Sequence, residues 1–311
     1  MELLSFLTIL LGAAIIDLFL GDPPDRWHPV AWIGRVIHVT EKRAPGGKTA
    51  QLLYGAGLLA VGVFLISGFF VLVEQWLPAD RPLGLLVHII LLSLSFSFRG
   101  LRMAGKRVGN ALRAGELDQA RRWLGWDLVS RPTDQLSEGQ VAAAVIESIA
   151  ENLTDSLMAP LLAYALFGLP GAWVYRFVNT ADAMIGYRSP EYEYLGKPAA
   201  RLDDLLNWIP ARLASLAMVV GAPFAGASWS GALRAIRADR QATASPNAGW
   251  TMAAAGGALG LQLEKTGHYT LNRSGREAVA GDITRADRLL AVSGVGSVAL
   301  TVLVGGLLRA F

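Results

Sequence analysis

The chain has no cysteine and only four histidines among its 311 residues. Without cysteine there can be no disulfides, no thiolate nucleophile and no Cys-ligated metal. The histidines are widely spaced and form no HExxH-like pair, so the sequence does not predict a zinc site. There is also no Walker A lysine motif and no GxGxxG following a strand. Any bound nucleotide is therefore held by something other than a P-loop.

Charge is scarce and apolar residues are abundant. Charged residues make up 17% of the chain and hydrophobic residues 53%, and the mean hydropathy is +0.39. This is too apolar for an ordinary soluble domain, and several apolar runs reach membrane-spanning length. We therefore predict an all-α, polytopic helical integral membrane protein with large cytoplasmic helical loops. It is expected to form a single membrane-embedded domain over residues 1–311.

Six apolar segments and four polar loops follow from the hydropathy pattern. The first apolar run is read as a retained helix, because no basic residue precedes it and no signal-peptidase site follows. The predicted spans are 3–20, 51–77, 83–98, 157–175, 205–227 and 289–308. The polar loops are 21–50, 99–156, 176–204 and 228–288.

Basic residues predict the orientation in the membrane. Loops 21–50, 99–156 and 228–288 hold 5, 8 and 8 Lys and Arg residues, which places them in the cytoplasm by the positive-inside rule. We expect a multi-pass protein of the cell inner membrane with a cytoplasmic active site, and no nucleic-acid partner. The same count exports loop 176–204. Prolines in 157–175 and 205–227 suggest that both segments are re-entrant, which would return that loop to the cytoplasm.

Three carboxylates stand out in the stretch EGQVAAAVIESIAENLTDS, residues 138–156. Glu147, Glu151 and Asp155 have the spacing i, i+4 and i+8, which stacks them on one helix face with Asn152 beside them. Their mutual repulsion would be offset by Mg²⁺ bound to carboxylates and substrate phosphates. The alternative is an acidic face exposed to solvent, but the apolar run that follows argues against it.

A second polar stretch covers residues 176–212. Asn179 and Asp182 have i, i+3 spacing on a helix face, and Asp203 and Asp204 precede an apolar run with Asn207 one turn further on. The alternative for the Asp pair is a charge at a helix N-terminus matched to the dipole. Between these groups lies a basic, aromatic surface formed by Tyr187, Arg188, Tyr192 and Tyr194.

Three smaller features complete the set. Asp22 and His28 lie in a Pro-rich turn, for which a membrane-exit turn with interfacial Trp27 and Trp32 is the alternative. Asn247 belongs to a turn, SPNAG, before the Ala/Gly-rich segment 253–263, whose small residues allow close backbone approach. The third feature is a basic face formed by Arg99, Arg102, Lys106 and Arg107. It is suited to bind phosphates or, as we prefer, anionic lipid.

Four long motifs, in order along nearly the whole chain, resemble the adenosylcobinamide-phosphate synthase family of cobalamin biosynthesis, the CbiB/CobD type. They are DLFLGDPPDRWHPVAWIGR (17–35), SEGQVAAAVIESIAENLTDSLMAP (137–160), RFVNTADAMIGYRSPEYEYLGKPAARLDDLLNWIPARL (176–213) and SPNAGWTMAAAGGALGLQLEK (245–265). Position 251 departs from the family pattern, with Thr251 where proline is more usual.

The resemblance implies a carboxylate–amine ligase. The f-propionate of adenosylcobyric acid, a corrinoid, is joined to (R)-1-aminopropan-2-ol or its O-phosphate with consumption of ATP, and we expect an acyl phosphate intermediate and a requirement for Mg²⁺. The resemblance also allows association with other enzymes of cobalamin assembly. The protein is expected to be embedded in the lipid bilayer.

Roles are assigned to the candidate residues on this basis. The catalytic candidates are Glu147, Glu151, Asp155 and His28, with His28 as a base for the amine. The metal candidates are Glu147, Glu151, Asp155, Asp182 and Asp204. The substrate-binding candidates are Asp22, Asn152, Asn179, Tyr187, Arg188, Asp203, Asn207 and Asn247. A membrane transporter or scaffold subunit for corrinoids is the alternative function, since intramembrane acids and proline-broken helices also mark transporters.

Overall fold

The computed structural model describes residues 2–310 and confirms the all-α prediction, since only one short β-hairpin accompanies the helices. The hairpin strands are β1 (Leu263–Lys265) and β2 (Tyr269–Leu271), paired antiparallel. The helices are α1 (Leu3–Phe19), α2 (Pro29–Glu41), α3 (Lys48–Trp76), α4 (Pro82–Ser93), α5 (Phe98–Arg113), α6 (Leu117–Asp127), α7 (Glu138–Leu153), α8 (Ala159–Ile185), α9 (Lys197–Leu206), α10 (Trp208–Gly221), α11 (Trp229–Asp239), α12 (Ala248–Leu259) and α13 (Ala280–Ala310).

Four helical stretches are long and apolar enough to cross a membrane: Lys48–Trp76, Pro82–Arg113, Glu138–Ile185 and Ala280–Ala310. The second combines α4 and α5, which non-helical residues 94–97 separate. The third runs through α7 and α8. Two shorter apolar helices, α1 and α10, accompany them. The number of actual crossings, the side of loop 176–204 and the single-domain assignment stay predictions.

The chain forms two compact units built from interleaved segments. The first unit contains residues 1–97, 159–207 and 301–311. The second contains residues 98–158 and 208–300.

In the first unit, helices α1 to α4 pack with α8 and α9. The ring of Phe70 stacks on that of Trp173 with centroids 5.0 Å apart, and Trp173 Nε1 donates a hydrogen bond to the Leu91 carbonyl. The ring stack joins α3 to α8, and the hydrogen bond joins α8 to α4. Helix α2 begins at Pro29, whose fixed φ suits a first helical position.

Helix α8 departs from the predicted pattern. We expected segment 157–175 to be interrupted by Pro160 and Pro170 and residues 176–204 to form a loop. The helix is instead broken at Gly168, where φ is +69° and ψ is −157°, and it then continues to Ile185. Pro170 is tolerated because it falls in the first turn after the break, where its missing N–H has no helical partner. Residues 176–185 are therefore helical.

The carboxylate helix also differs from the prediction. Ser137 and Gln140 form a capping box that fixes the start of α7. The α-helix ends at Leu153, and residues Thr154–Met158 form a π-helical turn before α8. One continuous α-helical face for Glu147, Glu151 and Asp155 was therefore wrong. The wider π turn changes the angular position of Asp155, and such turns are frequent at functional sites.

The second unit is built around close contact between α11 and α12. Gly231 on α11 and Gly257 on α12 face each other so closely that a Cβ on either would collide with the partner's carbonyl oxygen. This agrees with the expectation that the small residues of 253–263 allow close backbone approach. Loop 228–288, predicted as polar, contains these two helices and the β-hairpin, and the region around 100–124 forms two helices, α5 and α6.

Candidate functional site

In the first unit, His28 links the start of α2 to Asp22. The Val30 N–H donates to His28 Nδ1 at 3.2 Å, which caps the helix, and His28 Nε2 lies 3.4 Å from Asp22 Oδ1. Because Nδ1 accepts, the neutral ring carries its proton on Nε2 and donates to the carboxylate. Both ring nitrogens are thus engaged. For His28 to act as a base, one of these hydrogen bonds would have to open.

Asp22 receives a second hydrogen bond, from the Ser97 hydroxyl. Partial burial opposes ionisation of Asp22, but the hydrogen bonds from His28 and Ser97 and the positive charge of Arg176 outweigh it, so the pKa of Asp22 is lowered. A cavity of about 370 Å³ opens here, lined by Asp22, Asp25, His28, Val30, Ala31, Leu94, Phe96, Ser97 and Arg176. It presents carboxylates and a guanidinium to the same space.

A hydrogen-bonded row continues from Arg176. Arg176 Nε donates to the Ser95 carbonyl at 2.6 Å, and Arg176 Nη1 donates to Asn179 Oδ1 at 3.2 Å. Asn179 Nδ2 in turn donates to Asp203 Oδ1 at 3.3 Å, and Asn207 Nδ2 donates to Asp203 Oδ2 at 2.9 Å. The Tyr175 hydroxyl donates to Asn207 Oδ1 at 2.9 Å. Four predicted substrate residues of this unit, Asp22, Asn179, Asp203 and Asn207, therefore flank Arg176 directly or through this row.

The two acids of the Asp pair lie in the last turn of α9. The interpretation of Asp203 and Asp204 as charges at a helix N-terminus was therefore wrong, since a carboxylate near a C-terminus is opposed by the dipole. The two amide donors on Asp203 offset that repulsion. Asp182 and Asp204 are half-buried, whereas Tyr187 and Arg188 are exposed between α8 and α9.

In the second unit, Glu147 is a buried carboxylate on α7. Its Oε2 accepts a hydrogen bond from the Tyr269 hydroxyl at 3.3 Å, and Arg131 Nη2 lies 3.9 Å away. Its Oε1 is buried and has no hydrogen-bond partner among the described residues. A buried polar atom without a partner is costly, so this oxygen is suited to bind a group absent from the chain itself.

Tyr269 connects Glu147 to the β-hairpin. Burial raises the pKa of Tyr269, and the negative charges of Glu147 and Glu151 raise it further, so the hydroxyl stays a donor at neutral pH. Asn152 Nδ2 donates to the Ser148 carbonyl at 2.9 Å. Glu151, Asn152 and Asp155 are half-buried.

Asn247 has a structural partner in the second unit. It is buried at the start of α12, and Arg212 Nη1 donates to its Oδ1 at 2.6 Å. Arg212, an unusual charge in an apolar segment, thus contacts protein groups. The basic face of α5 is largely occupied by ion pairs: Arg102 and Lys106 with Asp287, and Arg107 with Asp127.

Across residues 2–310 no three His, Asp or Glu side chains are grouped so that they could hold one metal ion. Mg²⁺, however, is usually bound by one or two carboxylates together with substrate phosphates and water. The partnerless Oε1 of Glu147 fits such a ligand. Magnesium binding by Glu147, Glu151, Asp155, Asp182 or Asp204 stays a proposal.

Comparison with known proteins decides the family. A family model described as CobD/Cbib protein matches residues 10–292. The chain belongs to the CobD/Cbib family. This confirms the resemblance seen in the four sequence motifs.

Curated relatives of this family cover most of the chain. "Cobalamin biosynthesis protein CobD" of Dehalococcoides mccartyi is 43% identical over 272 residues, 86% of this chain and 87% of the relative. "Probable cobalamin biosynthesis protein CobD" of Methanothermobacter thermautotrophicus is 41% identical over 271 residues, with 86% and 87% covered. The CobD of Geobacter metallireducens is 41% identical over 264 residues, with 84% and 82% covered. No solved structure is significantly similar.

The region matched to the CobD/Cbib family contains residues that sequence reasoning missed. Arg176 was not among the candidate residues, although an arginine directly after an apolar run and three residues before Asn179 was an available signal. Ser97, Arg131 and Tyr269 gave no local signal. Their partners lie 75, 16 and 122 residues away in sequence, and only the fold brings them together.

Proposed function

We propose that this chain is a carboxylate–amine ligase of cobalamin biosynthesis. It would join the f-propionate of adenosylcobyric acid to (R)-1-aminopropan-2-ol or its O-phosphate, with ATP converted to ADP and phosphate. The observation that carries the proposal is the match to the CobD/Cbib family over residues 10–292. The names of the relatives support a role in cobalamin biosynthesis, and the chemistry follows from the resemblance of the motifs.

A carboxylate is a poor acyl donor, so it must be activated. In the proposed route a propionate oxygen attacks the γ-phosphorus of ATP, ADP leaves and an acyl phosphate forms. The amine, having lost one proton, then attacks the carbonyl carbon; phosphate departs with the C–O electron pair and the nitrogen loses its second proton. This route needs positioned charges and no cysteine or serine nucleophile.

The cavity of the first unit suits the amine substrate. Its volume of about 370 Å³ is adequate for a small amino alcohol, with or without a phosphate. Asp22, whose lowered pKa keeps it ionised, would bind the ammonium group. Arg176 would attract an anionic group, which is the phosphate of the phosphorylated amine or the reacting carboxylate. His28 would hold Asp22 in place, and it would accept the ammonium proton at Nδ1 once the hydrogen bond from the Val30 N–H has opened.

The buried carboxylate of the second unit suits the nucleotide. Glu147, with Glu151 beside it, would hold Mg²⁺ on the ATP phosphates, and Tyr269 and Arg131 would fix the orientation of Glu147. When bound, Mg²⁺ would neutralise charge on the transferring phosphoryl group. Asn152, Asp155, Asn179, Asp182, Tyr187, Arg188, Asp203, Asp204, Asn207 and Asn247 remain candidates for the remaining contacts with the nucleotide and the corrinoid.

The test is turnover by the detergent-purified chain. It is mixed with adenosylcobyric acid, Mg-ATP and either aminopropanol or its phosphate, and the corrinoid product is weighed by mass spectrometry. We expect a mass gain of one amide and stoichiometric ADP. Tight corrinoid binding without product would instead favour the transporter or scaffold alternative. Transfer of ¹⁸O from the substrate carboxylate into phosphate would support the acyl phosphate, and its absence would refute that route.

A further inference from the structure

Arg212 and Arg240 form an unusual pair of cations in the second unit. The guanidinium of Arg212 lies over the rings of Trp208 and Trp250, with its Cζ 4.6 and 4.7 Å from their centroids. The guanidinium of Arg240 lies over the same Trp250 ring at 5.5 Å. Because both guanidinium groups contact the same ring, their positive charges lie near each other. Two like charges thus share one aromatic ring.

The contacts of this pair leave its charge unbalanced. Arg212 Nη1 donates to Asn247 Oδ1 and to the Trp208 carbonyl, and Arg240 Nη1 donates to the Arg237 carbonyl. These acceptors are neutral. Within residues 2–310 no carboxylate forms an ion pair with either arginine, and their Nε and Nη2 atoms donate to nothing.

Other arginines of the same unit are treated differently. Arg102 binds Asp287 through two parallel hydrogen bonds, Arg107 pairs with Asp127, and Arg276 binds Asp282 in the same two-bond manner. Repulsion between two cations without a counter-charge destabilises the fold. A fold that retains such a pair is therefore suited to bind an anion that the chain does not itself supply.

We infer that Arg212 and Arg240 bind a phosphate group. Guanidinium forks match phosphate oxygens, and stacking on tryptophan fixes the planes of the forks before the ligand arrives. The surroundings favour the headgroup of an anionic phospholipid as the source. Trp208, Ile209, Val220 and Phe224 expose their side chains along and just beyond α10, as a lipid-facing surface would. The inference does not depend on the proposed ligase activity, because it is tested by binding.

The experiment compares the delipidated full-length chain with the double variant R212Q/R240Q. Phosphatidylglycerol is added in one arm and read as bound adducts by native mass spectrometry, and inorganic pyrophosphate is added in the other and read by calorimetry. Loss of two charge-assisted contacts should weaken binding about tenfold or more. The matched control is Arg234→Gln, which removes an exposed charge from α11, the helix that ends just before Arg240, and should bind as the wild type does.

Each outcome decides the question. Loss of phosphatidylglycerol adducts in the double variant supports the site with a lipid source, and loss of pyrophosphate binding alone supports it with a soluble source. Unchanged binding of both probes, absence of binding to the wild type, or an equal loss in Arg234→Gln overturns it. If the double variant loses its helical circular dichroism, R240Q alone carries the test, since Arg240 contacts only one ring and one carbonyl.

Discussion

Replacing Asp22 by Asn tests whether the cavity of the first unit binds the amine. The change keeps the shape of the side chain and removes its negative charge. The His28 Nε2–H can still donate to the new amide oxygen, and Ser97 can reverse its hydroxyl to accept from the amide. The variant is therefore expected to fold.

The magnitude follows from the contact that is lost. A hydrogen bond between an ammonium and a carboxylate contributes about 1.5–3 kcal/mol, and a neutral one roughly half of that. The net loss is therefore about 0.75–1.5 kcal/mol, and since each 1.4 kcal/mol is a factor of ten, the KM for the amine should rise about three- to tenfold. The KM for ATP should stay within about twofold, because Asp22 is not proposed to touch the nucleotide.

The sign of the pH effect is fixed by the lowered pKa of Asp22. A carboxylate whose pKa is lowered by folding stabilises the protein above its unfolded pKa, and this contribution is lost as the pH falls through the lowered value. Between pH 6 and 8, conditions chosen for the assay, the amine KM should owe no pH dependence to Asp22. The acid unfolding of Asp22→Asn should be less steep than that of the wild type.

The assay is steady-state amide formation at saturating corrinoid and ATP, with the amine varied. Asp25→Asn is the matched control, because Asp25 lines the same cavity and its carboxylate has no hydrogen bond to the described residues. An equal rise in KM for both variants would mean that the amine responds to the total negative charge of the cavity and not to a contact with Asp22. An unchanged KM in a folded Asp22→Asn protein would refute the assignment.

Three further outcomes are expected. Glu147→Gln should lower kcat about a hundredfold or more and raise the Mg²⁺ concentration needed, while Tyr269 still donates to the new amide; near-normal turnover would remove Glu147 from the site. Asp282→Ala should lower the free energy of unfolding by about 1.5–3 kcal/mol, because Arg276 and Arg285 lose the buried carboxylate that they bind. Asp118→Ala, at an exposed ion pair, should lower it by under about 1 kcal/mol, and thermal unfolding measures both changes. Since the chain has no cysteine, Glu191→Cys creates a unique probe of loop 176–204, and labelling only from the periplasm would exclude the re-entrant arrangement.

The all-helical fold and the family could be predicted because both are carried by local sequence. Apolar runs long enough to span a bilayer force backbone groups to pair within each segment, and this gives helices wherever the runs occur. The small residues of 253–263 also predicted close helix contact from local sequence, because a residue without a bulky side chain lets a neighbouring backbone approach. The long motifs carried the family.

The arrangement of the polar groups was decided by the tertiary structure. Sequence spacing assumed one α-helix through Asp155, but a π turn intervenes. The alternative interpretation of Asp203 as a charge at a helix start was wrong, because Asp203 lies at a helix end. A hydropathy pattern indicates whether a segment lies in water or in apolar surroundings. It does not indicate which distant side chain contacts that segment. The pairing of Tyr269 with Glu147 depends on where separate elements pack, because a hydrogen bond forms only within about 3.5 Å. The sequence by itself determined which residues are polar in apolar surroundings, and the packing of the helices determined their partners.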